Sequence, residues 1–141
     1  MAQTYASEVS GLNTTPVGNA NGAVQGGRIR RFRATITLAS QAADDTIVLA
    51  KVPAGYAFAY GVINASATLG ASATVAIGVS GTAGKYRTAA TFTAAAPTLF
   101  VNVAAVDDAP LTAEETVIMT VAVAALPSSG TCTVDLYYSA P

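Results

Sequence analysis

From Arg28 onward, apolar and polar residues alternate in short runs separated by glycine- and proline-containing breaks. In RIRRFRATITL, Phe32, Ala34, Ile36 and Leu38 fall on one parity, and Arg31, Arg33, Thr35 and Thr37 on the other. Alternation with period two is the signature of a half-buried β-strand. SQAADD reads as a turn, TIVLAKV as a second strand, and VPAGY as a tight reversal with Pro53 and Gly55 at turn positions. AFAYGVIN is the third strand, and the pattern sets Phe58, Tyr60 and Val62 on one face. After the loop ASATLGAS, TVAIGVS carries Val75, Ile77 and Val79 on one face. GTAGKYR is expected to form a hairpin tip leading into a fifth strand near Tyr86–Thr93. TLFVNVAAV, following Pro97, is the sixth strand, VIMTVAVAAL the seventh and TCTVDLYYS the eighth, with PSSG as the last turn. In LTAEET, Thr112 and Glu115 have capping-box spacing, which allows at most one helical turn before the β-branched residues Val117, Ile118, Val121 and Val123 restore strand character. About eight short strands divided by such turns predict an all-β protein, an antiparallel β-sandwich or a jelly-roll-like barrel.

Residues 1–27 differ from the rest. They are rich in glycine and asparagine, lack period-two and helical patterns, and carry Glu8 as their only charged side chain. A segment of this composition buries too little apolar surface to offset its ordering entropy. It reads either as a frayed terminus or as an extended N-terminal arm that orders on a neighbouring subunit. In the second reading Tyr5, Val9, Leu12 and Val17 are its anchors. The expected organisation is therefore an arm over 1–27 and one β-domain over 28–141.

Composition narrows the function. A chain of 141 residues is long enough for one domain with an ordinary core. Apolar residues make up 52% but charged residues only 11%, well under the usual share of about 25%. So few charges leave apolar surface to be covered, which points to subunit contacts. The net charge of −1 provides no global field for nucleic acid. The N-terminus lacks the basic and apolar regions of a secretory signal, and no run of about 18 apolar residues suggests a membrane span. The expectation is a protein made in a cytoplasm, with neither nucleic acid nor membrane as partner. Cys132, in an alternating strand, reads as an inert buried thiol.

Candidate chemistry is sparse. Without histidine the chain lacks the usual general base and cannot form a Ser-His-Asp or Cys-His arrangement. No phosphate loop, CxxC or metal-binding histidine pair is present, so neither catalytic residues, metal nor cofactor are expected. Asp44-Asp45, Asp107-Asp108 and Glu114-Glu115 form three acidic doublets at predicted strand ends, the usual place of solvated turn acids. A cation site, an intersubunit role and acid–base catalysis are the alternatives. Four of the seven basic residues, Arg28, Arg30, Arg31 and Arg33, fall in one six-residue run. That run reads as a plain solvated strand, as a weak phosphate site, or as an intersubunit clamp whose guanidinium groups meet acids of a neighbouring copy. Arg28 and Arg30 share parity with Phe32 and are expected beyond the edge of the core, toward the arm. Tyr56, Phe58, Tyr60, Tyr86, Tyr137 and Tyr138 raise a carbohydrate-binding reading, but strand-placed Tyr and Phe more often serve a core or an interface.

The stretches TITLASQAADDTIVLAKVPAGYAFAYGV, ATLGASATVAIGVSGTAGKYRTAATFTA and PLTAEETVIMTVAVAALPSSGTCTVDLYYSAP, with their PAGY turn, GKYR tip and YYSAP end, resemble small structural proteins of tailed bacteriophages. They are similar to head decoration, or cement, proteins, over roughly residues 28–141. The resemblance implies a non-enzymatic virion protein on the capsid exterior that bridges capsomers, assembles as a homotrimer and has the major capsid protein as partner. It also implies that residues 1–27 grip the shell, with Arg28–Arg33 as their hinge. A carbohydrate- or surface-binding module of a fibre or adhesin, and a tail or neck component, are the competing expectations.

Overall fold

The structure is a computed structural model that describes residues 26–106 and 109–140. Eight strands follow the chain in order: β1 (Arg28–Thr37), β2 (Thr46–Val52), β3 (Ala57–Ala65), β4 (Thr74–Val79), β5 (Thr82–Thr91), β6 (Thr98–Phe100), β7 (Glu115–Ala122) and β8 (Thr131–Ala140). They form two four-stranded sheets, ordered β1-β8-β3-β6 and β2-β7-β4-β5, with antiparallel pairing throughout.

The order has a simple origin. Folding the chain on itself at the β4–β5 turn pairs β4 with β5, β3 with β6, β2 with β7 and β1 with β8. Rolling that double ribbon then brings β8 beside β3 and β7 beside β4, which closes two sheets face to face. This is the jelly roll, the second of the two architectures that the strand spacing allows.

The alternation of β1, β4, β7 and β8 fills the space between the sheets. Ile36 and Leu38 meet Val75, Ile77, Val117, Met119, Val121, Val134 and Leu136, all fully or nearly fully buried. Each such side chain contributes about 1.5–3 kcal/mol of transfer free energy. Cys132 is buried in the same layer, where desolvation pushes its thiol up to about 11.

Several local expectations change. In β3 the register shifts between Phe58 and Tyr60, so Ala59 is an extra residue in the ladder. The bulge reverses parity: Phe58, Ile63 and Ala65 face the core, while Tyr60 and Val62 turn outward instead of sharing a face with Phe58. The β4–β5 turn is tighter than a GTAGKYR tip, because Val79 already pairs with Thr82. Gly78 permits this curl, since a Cβ there would stand 2.2 Å from the Thr82 carbonyl oxygen. The sixth strand stops at Phe100, and Val103–Ala105 form a 3-10 turn. Asn102 ends the strand: its side-chain oxygen accepts from the Ala104 amide while its NH₂ donates to the Gly84 carbonyl. No helical turn forms in LTAEET. Leu111 is held there by main-chain bonds to Gly55 and Tyr56, and Glu115 opens β7 opposite Val52.

Candidate functional site

The arginine run lies along β1, an outer strand of its sheet, with Arg28, Arg30, Arg31 and Arg33 all exposed. Register places Arg33 opposite Asp135 and Arg31 opposite Tyr137 on β8. The Arg33 guanidinium donates from Nε and Nη2 to the two Asp135 carboxylate oxygens, at 2.8 and 2.7 Å. This fork-to-fork pairing adds geometric specificity to charge attraction. Asp135 is 7% exposed, and Arg33 holds its carboxyl below the ordinary value, first through the hydrogen bonds and then through charge, with Arg31 adding to it. For Arg33, the carboxylate met is therefore one of its own chain, whereas the clamp reading of the sequence looks to acids of a neighbouring copy. Arg28, Arg30 and Arg31 take part in no ion pair among the described residues. They charge an exposed strand edge, a common device against unwanted edge-to-edge pairing.

The acids behave differently from one another. Asp44 and Asp45 occupy the β1–β2 turn; Asp44 has a positive φ, and the Asp45 carboxylate accepts from the Ala42 amide at 2.7 Å. They sit at the far end of β1 from Arg28, roughly 30 Å along a ten-residue strand. Asp107 and Asp108 lie outside the described residues, as do Tyr5, Leu12 and Val17 and the rest of segment 1–25. Glu115 is no solvated turn acid: it accepts from the Lys85 ammonium and the Tyr86 hydroxyl. Burial and this contact push the Tyr86 hydroxyl far above its ordinary range, and burial does the same to neighbouring Tyr138. Phe58, Lys85, Tyr86, Leu111 and Glu115 help line a cleft of about 300 Å³ at this end of the sandwich. With both carboxylate oxygens of Glu115 engaged, the arrangement braces β5 against β7. Asp135 and the Lys85–Glu115–Tyr86 group escaped the sequence reading. The available signal was a lone charged residue, Asp135, inside a strand, where aspartate is disfavoured.

Of the six aromatics considered for sugar binding, Phe58, Tyr86 and Tyr138 are buried and Tyr56 is half-buried. Phe58 and Tyr138 pack edge to face at 5.3 Å. Tyr60 and Tyr137 are on the outer face, where their rings stack on each other at 4.6 Å and 20°. Each therefore occupies one ring face of the other and leaves no open two-ring platform.

A third feature is the open side of the sandwich between β5 and β6. Arg87, Thr88, Leu99, Phe100, Val101, Asn102 and Val103 line a groove of about 400 Å³. The Arg87 guanidinium donates to the main-chain carbonyls of Val75, Ala90 and Thr91. It has no carboxylate partner among the described residues, and desolvation lowers its pKa. Beside it Leu99, Val101 and Val103 are 63, 48 and 87% exposed.

Among the described residues, no group of three or more Cys, Asp or Glu side chains is placed to hold a metal ion. No helix there is long and apolar enough to cross a membrane. No protein-family model and no curated protein sequence matches the chain. Solved structures do. A chain of the cyanophage Pam1 capsid asymmetric unit superposes with a TM-score of 0.66 at 18% identity, covering 82% of this chain and 86% of that one. A chain of the Ralstonia phage GP4 capsid gives 0.66 at 20% identity, with 94% of both chains covered. A chain of the acid-stable capsid of Helicobacter pylori bacteriophage KHP30 gives 0.60 at 14% identity, covering 80% and 88%. The fold of this chain, with its two four-stranded sheets, is thus similar to that of a chain in each of these three phage capsid structures.

Proposed function

We propose that this protein is a non-enzymatic structural component of a phage virion, which decorates the outside of the mature capsid and stabilises it by bridging adjacent capsomers. The observation that carries the reading is the fold likeness to chains of three phage capsid structures, each covering at least 80% of this chain. The surface supports it. Ile29, Val48, Leu99, Val101, Val103 and Val123 are large apolar side chains left exposed in a chain with 11% charged residues. Surfaces of that kind favour contacts with other subunits. The partners are then the major capsid protein and further copies of this chain, joined as a homotrimer. A protein that binds an assembled shell, and not its separated parts, shifts the equilibrium toward the shell by mass action. Many copies on one lattice let modest contacts add up. In this reading residues 1–27 grip the shell, and Arg28, Arg30 and Arg31 present cations to acids of a neighbour. The protein is made in the host cytoplasm and ends on the capsid exterior.

The test is decoration of purified, undecorated shells of the cognate phage. Full-length protein is expected to co-sediment with shells and raise the temperature at which they open. Protein lacking residues 1–27 is expected to keep its fold, as read by its β-sheet circular dichroism, and to lose co-sedimentation. Normal decoration by the truncated protein would remove the arm from the mechanism, and failure of the full-length protein to bind any shell would remove decoration itself.

A further inference from the structure

The four outer strands of the two sheets are unequally protected. β1 carries Arg28, Arg30, Arg31 and Arg33, β2 carries Lys51, and β5 carries Lys85 and Arg87. From Thr98 through Val106, β6 and its continuation carry no charged residue. Leu99, Val101 and Val103 project there at alternate positions, all exposed. An uncharged, apolar outer strand is the kind that accepts an added strand from another chain, main-chain bonds supplying affinity and alternate side chains specificity. The groove beside it contains Arg87, a cation bonded to main-chain carbonyls but to no carboxylate among the described residues. A partly desolvated guanidinium is better served by a carboxylate than by carbonyls alone.

We propose that the β5–β6 groove receives part of the N-terminal segment of a second copy, residues 5–12, laid along β6 as an added strand with Glu8 paired to Arg87, which leaves residues 13–27 for the shell. Charge complementarity selects the occupant. Within residues 1–25 the only charged side chain is Glu8, flanked by the apolar anchors Tyr5, Val9 and Leu12. A 25-residue segment reaches at most about 90 Å when extended, enough to leave its own domain and lie on another. Exchange between copies links subunits, whereas a segment folded onto its own groove would leave them separate. The proposal deepens the assembly reading by naming how copies join. It stands or falls apart from decoration, because its test needs no shell.

The experiment uses full-length protein with photoreactive p-benzoylphenylalanine at position 101, as an equal mixture of isotopically light and heavy protein refolded together from denaturant so that both labels enter the same oligomers. After irradiation, mass spectrometry is expected to find crosslinks from position 101 to residues 1–25 of a different copy, as mixed light–heavy peptides. Crosslinks within one copy only, crosslinks to another part of the second copy, or no crosslinks would each overturn it. Arg87→Glu is expected to lower the crosslink yield by roughly tenfold, and adding Glu8→Arg is expected to restore it. Because Arg87 also braces three carbonyls, Val103→Asp at an 87% exposed position is the second probe. It is expected to lower the yield without moving the melting temperature, and a yield equal to that of the parent would overturn the proposal.

Discussion

Asp135 and Val123 are the two residues whose behaviour departs most from their type. Asp135 is an acid in the middle of β8, tolerable because Arg33 meets both of its oxygens from the adjacent strand. Its folded-state pKa is depressed below 3.8, so the stabilisation is fully present above the unfolded value of about 4 and is lost as pH falls through the folded value. Asp135→Asn is expected to melt below the parent at pH 7. The gap should narrow as pH falls below about 4, as read by thermal melts across pH. A gap independent of pH would show that charge pairing with Arg33 is not the source. Val123 follows β7 with φ at +71°, and Ala124 N–H donates to the Ala122 carbonyl across it. This three-residue turn is strained, and more so for a β-branched residue. Val123 is 75% exposed and contributes little burial in return. Val123→Gly is therefore expected to raise stability by about 1 kcal/mol in chemical denaturation. The strain at Val123 and the pairing of Asp135 were not legible in the sequence: strand pattern marked Val123 as one more β-branched position, and the partner of Arg33 stands 102 positions away.

At the level of elements, the short strand β6 depends on β3. Gly61 pairs with Phe100, and the Phe100 ring covers it so closely that a Cβ would lie 2.1 Å from the ring. An aromatic laid over a strand glycine fills the missing side chain and pins the register. Gly61→Ala must push the ring aside, and it is expected to cost about 1–3 kcal/mol. Amide exchange should rise first at residues 98–100, since among the described residues β6 pairs with β3 alone; equal protection in variant and parent would refute the ring's role. The sequence revealed this strand but overran it, because TLFVNVAAV is mostly apolar and uncharged and Asn102 was not recognised as the residue that turns the chain. It likewise set Tyr60 on the same face as Phe58, since a bulge at Ala59 adds a residue without any local signal such as glycine.

At the scale of the whole molecule, the jelly roll leaves four outer strands, three of them charged and one apolar. A protein so divided has surfaces that repel and a surface that invites association. By light scattering, the purified full-length chain is expected to have a mass of about three chains, 42 kDa on a 14.1 kDa protomer. A monomer at every concentration would refute preformed trimers.

The number and order along the chain of the strands, the absence of a classical catalytic triad and the inward placement of Ile36, Leu38, Val75 and Ile77 were determined by the sequence alone. Those features follow from alternation, turn chemistry and residue inventory, all of which act over a few neighbouring residues. The order β1-β8-β3-β6 and β2-β7-β4-β5 was decided only in the tertiary structure, as were the β3 bulge, the Arg33–Asp135 pair and the Lys85–Glu115–Tyr86 brace. Each of these joins segments far apart in the chain. Which partner a strand edge or a charge finds depends on how the whole ribbon rolls up, and period-two patterning is the same for every possible order of strands.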